Sequence, residues 1–147
     1  MAKKKIYTVA TAHLDTIWSW DFEKTVSTYI YNTLVDNFKM FHKYPTYKFN
    51  FEGSYRYELM EEYYPALFEK VKEYVKEGKW NVCGSAFENG DTNIPSPEAL
   101  FRNILLGNSY FDKTFGKRSV DIYLPDCFGF GWALPSIAHH ANLKGFT

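Results

Sequence analysis

The residues best suited to chemistry fall into two short stretches far apart along the chain, His13-Leu14-Asp15 near its start and Asp126-Cys127 near its end. In extended backbone, residues two apart point to the same side, so His13 and Asp15 would present an imidazole nitrogen and a carboxylate together. One nitrogen donor with carboxylate oxygens suits Zn2+, with Mn2+ or Co2+ as substitutes and Ca2+ disfavoured by the nitrogen. The His-x-Asp spacing is common by chance, and it gains weight only from a third ligand-type residue on a neighbouring loop. Asp126 is that residue. Two carboxylates forced together repel and raise a pKa, whereas a divalent cation between them keeps both ionised.

For these residues to meet, the elements carrying them must end on one side of the fold. Ile6, Tyr7, Val9 and Ala10 read as a first strand, leading directly into Ala12-His13-Leu14-Asp15. Apolar residues then recur every three or four positions from Phe22 through Val26, Ile30, Leu34 and Phe38 to Phe41, the pattern of one long amphipathic helix ending before Pro45. Residues 47–52 alternate aromatic and polar side chains, a second strand that leaves Glu52 at its C-terminal end. Residues 55–62 form a short helical stretch, and Pro65 suits the first turn of another helix that packs Leu67, Val71, Tyr74 and Val75 and stops at Gly78.

Residues 80–84 read as a third strand, followed by an irregular loop carrying Glu88 and Asp91. Ser96-Pro97-Glu98 supplies an N-cap, a first-turn proline and an early acid for a helix running to Phe115-Gly116. Residues 120–124 make a fourth strand, 135–142 a brief helix, and 144–147 the start of a fifth strand. Strands alternating with helices at this spacing imply βαβ units and a mainly parallel sheet. The expected fold is α/β, with parallel βαβ units forming part of a distorted (β/α) barrel, truncated at residue 147. Loops leaving the C-terminal strand ends of such folds share one face, where sites are built. His13, Asp15, Thr16, Trp18, Glu52, Glu88, Asp91, Asp126 and Cys127 are therefore expected on a single rim.

The chain has 147 residues, about one domain or a slice of a larger one, and its 46% hydrophobic content is enough for a core. Basic and acidic residues balance at 17 each, so the field that gathers nucleic acid or an anionic membrane surface is missing. Aromatic residues make up 20% of the chain, the opposite of a disordered composition. Cys83 and Cys127 form neither a CxxC pair nor a dense disulfide framework, and are expected to remain thiols in a reducing compartment. The start Met1-Ala2-Lys3-Lys4-Lys5 looks like a signal-peptide n-region, but the apolar stretch after it is short and broken by Thr8 and Thr11. No apolar run approaches the roughly 18 residues of a membrane span. The reading is a soluble cytoplasmic protein without nucleic-acid or membrane partners.

Two motifs carry a resemblance. Ala12-His13-Leu14-Asp15-Thr16-Ile17-Trp18 resembles the His-x-Asp-x-x-Trp opening of the family 38 glycoside hydrolases, the retaining α-mannosidases, and Leu124-Pro125-Asp126-Cys127-Phe128-Gly129-Phe130 is similar to their Asp-x-Phe-Gly motif. Residues 75–80 and 91–96 resemble the cytosolic and bacterial branch, so the likeness spans nearly the whole chain, as the N-terminal portion of a catalytic domain. Carried over residue by residue, the resemblance implies His13 and Asp15 as zinc ligands, and Asp126 as both zinc ligand and catalytic nucleophile. It implies Trp18 and Phe128 as aromatics lining the sugar subsite, and a mannose-containing oligosaccharide as substrate.

One departure is Phe87, where many members have tryptophan. The family's remaining zinc-ligating histidine and its acid/base aspartate come from sequence well beyond Asp-x-Phe-Gly, and neither is matched here. The 147-residue chain is therefore expected to be an inactive fragment that self-associates through an unpaired sheet edge and exposed aromatic surface. Two other readings stand beside this one. A metal-dependent deacetylase would use metal-bound water as nucleophile, and a non-catalytic module would keep only sugar or metal contacts. Glu52 and Asp91 could contact substrate or simply bind loop amides. Cys127 reads as a small buried thiol, His42 as a helix C-terminal cap, and the adjacent His139 and His140 as structural or exposed.

Overall fold

The computed structural model describes residues 3–147, so Met1 and Ala2 of the signal-like start lie outside the described residues. Three strands, β1 (Ala10–Ala12), β2 (Phe49–Glu52) and β3 (Trp80–Cys83), form a parallel sheet in the order β1-β2-β3. A second parallel pair joins β4 (Asp121–Ile122) to β5 (Gly145–Phe146). The two sheets meet where the Ser85 amide, just past β3, donates to the Asp121 carbonyl at 3.0 Å. Within each sheet every strand pairs parallel with the one before it, as expected for parallel βαβ units.

The helices follow the predicted periods. Phe22–Lys24 (α1) is capped by Asp21, whose carboxylate accepts the Lys24 amide at 2.8 Å. It continues through a π-helical stretch, Thr25–Ile30, into α2 (Tyr31–Lys43). The hydrophobic period signals one helix here and hides the wide turns. Those turns coincide with a tertiary tie, in which the Thr25 hydroxyl donates to the Thr16 carbonyl at 2.7 Å. α3 (Ser54–Tyr63) and α4 (Pro65–Lys76) follow β2, and α5 (Pro97–Phe115) runs from a Ser96 cap to Gly116. α6 (Leu134–His140) is short.

The first strand is the main difference from the sequence reading. Ile6 and Tyr7 are 90% and 83% exposed, and pairing begins only at Ala10, which lies opposite Phe49, the first residue of β2. β-branched composition favours a strand, but without a neighbour to accept its hydrogen bonds the segment gains nothing from being one. β2, β4 and β5 are also shorter than predicted, although hydrogen bonds from Leu124 to the Thr147 carbonyl and from Lys144 to the Val120 carbonyl continue the β4–β5 contact past the regular strands.

Most of the aromatic excess is core. Phe49 and Phe51 of β2 point into a cluster with Phe41, Tyr57, Phe68, Trp80 and Phe111, all buried. Trp80 meets Phe49 edge-on at 4.9 Å and 85°, an arrangement worth about 0.5–1.5 kcal/mol beyond area burial. Its indole N–H donates to the Tyr57 hydroxyl at 3.0 Å, which donates to the Phe51 carbonyl at 2.8 Å, so the polar atoms of both large rings are satisfied. A smaller cluster of Ile104, Ile122, Leu134 and Ile137 supports β4. Beside it, Trp132 is fully exposed and Phe146 59% exposed, leaving apolar surface uncovered next to β5.

The opposite face of the β1-β2-β3 sheet is polar. Thr11, Asn50 and Asn81 lie in register across it, and the two asparagine side chains hydrogen-bond at 3.1 Å. The Thr11 hydroxyl also meets the Tyr123 phenol at 3.1 Å, tying β1 to the segment after β4. Among the described residues, no helix is long and apolar enough to cross a membrane.

Candidate active site

The strand register explains how the site begins. One step beyond the paired residues of β1 and β2, His13 falls beside Glu52, on the same face as the Thr11–Asn50–Asn81 row because side chains alternate with period two. The His13 Nδ1 and the Glu52 carboxylate are hydrogen-bonded. The Asn89 amide donates to the same carboxylate oxygen at 2.7 Å. Gly84 leaves room for this arrangement: its φ is +60°, and a Cβ there would stand 3.0 Å from the Glu52 Cβ. Burial pushes the Glu52 carboxyl above the ordinary carboxylate value, and the hydrogen bond from His13 opposes that rise.

The other ring nitrogen, His13 Nε2, is buried and has no hydrogen-bond partner. It lies 3.4 Å from Asp15 Oδ1. Buried polar atoms are rarely left unpaired, so the orphaned imidazole nitrogen beside a carboxylate, with Glu52 Oε2 also buried and unpaired, offers donors of the type a metal ion takes. Among the described residues, no three His, Cys, Asp or Glu side chains stand close enough together to enclose one. The donors are arranged as the adjoining pair His13 and Asp15 and a separate carboxylate, Asp126.

Asp15 and Asp126 line the same open depression, about 220 Å³ in volume. Its walls come from three strand ends. Asp15 and Trp18 follow β1, Asn89, Gly90 and Asp91 follow β3, and residues 123–128 follow β4. Trp18 and Phe128 are 64% and 82% exposed, so their ring faces are open to a bound molecule. The last two loops are tied together, since the Thr92 hydroxyl donates to the Gly129 carbonyl at 2.7 Å and Cys127 Sγ lies 3.7 Å from the Gly90 carbonyl.

Several minor expectations resolve differently from one another. Asp91 binds loop amides, accepting from Asn93 and Ile94 at 2.5 and 3.0 Å, while also lining the depression. Glu52 binds side chains instead of loop amides. Cys127 is half-buried, not buried, and burial raises its thiol above the ordinary value. Phe87 packs against Tyr55 at 5.3 Å and does not line the depression. His140 is exposed, with Nδ1 2.8 Å from the Ser136 carbonyl of its own helix.

The sequence reading missed the supports. Fully buried Arg56 donates from Nε and Nη2 to the Leu14 carbonyl at 3.0 and 2.5 Å and pairs with Glu88. Glu88 in turn accepts the Thr16 hydroxyl at 2.6 Å. One guanidinium thus binds the loop after β1 to the loop after β3. Asn89 escaped notice as well, although its place directly after Glu88 in a strand-end loop was a usable signal.

The whole described chain has a counterpart among known proteins. The profile of the family described as "Glycosyl hydrolases family 38 N-terminal domain" matches residues 3–147. The chain belongs to that family. Within glycosyl hydrolase family 38, it is 32% identical to alpha-mannosidase G of Dictyostelium discoideum over 99% of its own length and 13% of the relative's. It is 30% identical to the human alpha-mannosidase 2C1 over 96% and 14%. The crystal structure of an alpha-mannosidase from Enterococcus faecalis V583 superimposes with a TM-score of 0.86 at 28% identity, covering 98% of this chain and 16% of that one. The chain therefore spans about one seventh of the length of the family 38 relatives it matches.

Proposed function

We propose that this chain carries the nucleophile side of a retaining α-mannosidase site that acts on terminal α-mannosyl residues of oligosaccharides. The observation that carries the reading is the single depression on which Asp15, Trp18, Asp126 and Phe128 converge from the ends of β1 and β4, in a chain of the family 38 N-terminal domain. Zn2+ is the proposed cofactor, held by His13, Asp15 and Asp126. When bound, it would supply Lewis-acid stabilisation of charge on sugar hydroxyls.

The chain's own residues do the rest. Trp18 and Phe128 offer flat apolar surface against the C–H face of a sugar ring, which orients the anomeric carbon. The Asp126 carboxylate then attacks that carbon, a C–O bond to Asp126 forms, and the glycosidic C–O bond breaks. The departing oxygen takes its proton from a second carboxyl group about 5–5.5 Å from the first. The resemblance assigns no such group within these residues, so the 147-residue chain by itself is expected not to turn over. Free Cys83 and Cys127 support a reducing, cytoplasmic setting.

The test is a fluorosugar trap of the full gene product followed by peptide mapping, with aryl α-mannoside as substrate. A mannosyl ester on Asp126 is expected, together with loss of trapping in Asp126→Ala. A label on any other residue overturns the assignment. Acetate release from an acetylated sugar, with no ester, supports the deacetylase reading instead.

A further inference from the structure

We infer that Glu52 is the positioning residue of this site, fixing His13 so that Nε2, and not Nδ1, is the nitrogen offered to a metal ion. The inference rests on the metal-site reading above and deepens it, because it concerns how one proposed ligand is aimed.

Three observations support it. First, the His13 Nδ1 is already engaged by the Glu52 carboxylate. A carboxylate oxygen accepts, so Nδ1 carries the ring proton and the lone pair is left on Nε2. The Asn89 amide agrees with this tautomer. It lies 3.3 Å from Nδ1 but 2.7 Å from Glu52 Oε1, and two donors converging on one acceptor oxygen is the consistent arrangement.

Second, His13 Nε2 is buried without a partner, as are Glu52 Oε2 and the Ser54 hydroxyl, and it is the one of the three that stands beside Asp15, the neighbouring candidate ligand. Third, Glu52 is held in place as an acceptor through Oε1, while its Oε2 is buried without a partner. The residue is 1% exposed, it sits on the floor of the sheet at the end of β2, and Oε1 is shared between His13 and Asn89. Carboxylates behind metal-binding histidines set the tautomer, the ring orientation and the ligand basicity, and their loss commonly weakens metal binding by about 10–100-fold.

The position also follows from the backbone. Glu52 belongs to a regular strand paired on both sides, with Phe51 opposite Ala12 and Glu52 opposite Cys83. An acceptor on such a strand moves little, whereas His13 itself stands at the start of a loop. The strand lends the loop residue its precision.

Zinc affinity, measured on the full gene product by chelator competition, tests the inference without relying on turnover. Glu52→Leu fills a similar buried volume with no acceptor, and Glu52→Gln keeps an acceptor oxygen. The expected result is a zinc dissociation constant raised about 10–100-fold in Glu52→Leu, largely restored in Glu52→Gln. The visible spectrum of the Co2+-loaded protein should change in Glu52→Leu and stay close to wild type in Glu52→Gln. Wild-type affinity and an unchanged Co2+ spectrum in Glu52→Leu would overturn the inference while leaving the metal site intact. Failure of wild type to bind zinc, or binding indifferent to His13→Ala, sinks the metal site itself. Should Glu52→Leu not fold, a crystal structure of the zinc-loaded wild type decides: metal on Nε2 with Nδ1 against Glu52 upholds the inference, and metal on Nδ1 or on Glu52 refutes it.

Discussion

Arg56 never touches the depression, yet its guanidinium spans the two loops that shape one side of it. Its forked donors reach the Leu14 carbonyl and the Glu88 carboxylate at once, and Glu88 passes the restraint to the Thr16 hydroxyl and to the Asn89 amide N–H at 2.7 Å. A lysine ammonium is a point donor and cannot span both sites in the same plane. Arg56→Lys is therefore expected to lose about 1.5–3 kcal/mol of local stability, the usual worth of a hydrogen bond to a charged group. The change should be read as amide hydrogen exchange roughly ten- to a hundredfold faster in the peptides covering residues 13–16 and 86–89. Exchange confined to wild-type rates there would show that the loops hold without the clamp.

The loop after β3 is seated by a helix as much as by the strand it leaves. Gly107 stands in the interior of α5, where glycine costs about 1 kcal/mol relative to alanine on propensity alone. On that argument Gly107→Ala should stabilise the protein. The packing says the reverse, because a Cβ on Gly107 would lie 2.2 Å from the Ser85 carbonyl oxygen and 2.6 Å from the Phe87 nitrogen. Backbone cannot swing aside as a side-chain tip can, so α5 would have to lift off the loop. Gly107→Ala is expected to destabilise by at least the 1–3 kcal/mol or so typical of overpacking, seen as a lowered denaturation midpoint. A raised midpoint would mean that propensity wins and that α5 has slack. The same contact orients Asn103, whose amide donates to the Glu88 carbonyl at 2.8 Å and whose own oxygen accepts the Glu88 amide at 2.9 Å.

The buried aromatic core also sets how the whole molecule responds to alkali. Burial raises Cys83 and Tyr57, and burial together with Glu61 raises Tyr110, all above their ordinary values of 9.0 for the thiol and 10.0 for the phenols. The unfolded chain releases these protons near the ordinary values, while the folded chain keeps them. Unfolding then releases protons, so stability is fully present below about pH 9 and falls as pH rises from there toward the folded-state values. Denaturant melts between pH 7 and 11 are expected to show a midpoint that is flat at first and then declines. Tyr57→Phe should lower the midpoint at pH 7, because it strands the Trp80 N–H and the Phe51 carbonyl, and should also make the alkaline decline shallower. A midpoint independent of pH up to 11 contradicts the account.

Much of the outline was legible along the chain because it depends on local rules. Ser96-Pro97-Glu98 opens α5 where capping chemistry says it must, and the aromatic alternation of residues 47–52 marks β2 and its inward face. The convergence of Asp15, Trp18, Asp126 and Phe128 on one depression was also readable, since strand ends in parallel α/β folds share a rim. What the chain could not announce depends on which strands lie side by side and in what register. Residues 6–9 have strand composition but meet no partner, so β1 shrinks to three residues. Glu52 reads as a carboxylate at a strand end with either of two uses. Only the pairing of Ala12 with Phe51 carries it to the His13 ring and turns it from a candidate substrate contact into the acceptor behind a candidate ligand. Arg56 and Gly107 lie in ordinary helical sequence, and their importance comes from the loops folded against them. Capping, periodicity and side-chain type act over a few bonds and are written in order along the chain. Register and close packing act between segments dozens of residues apart, and exist only once the strands have met.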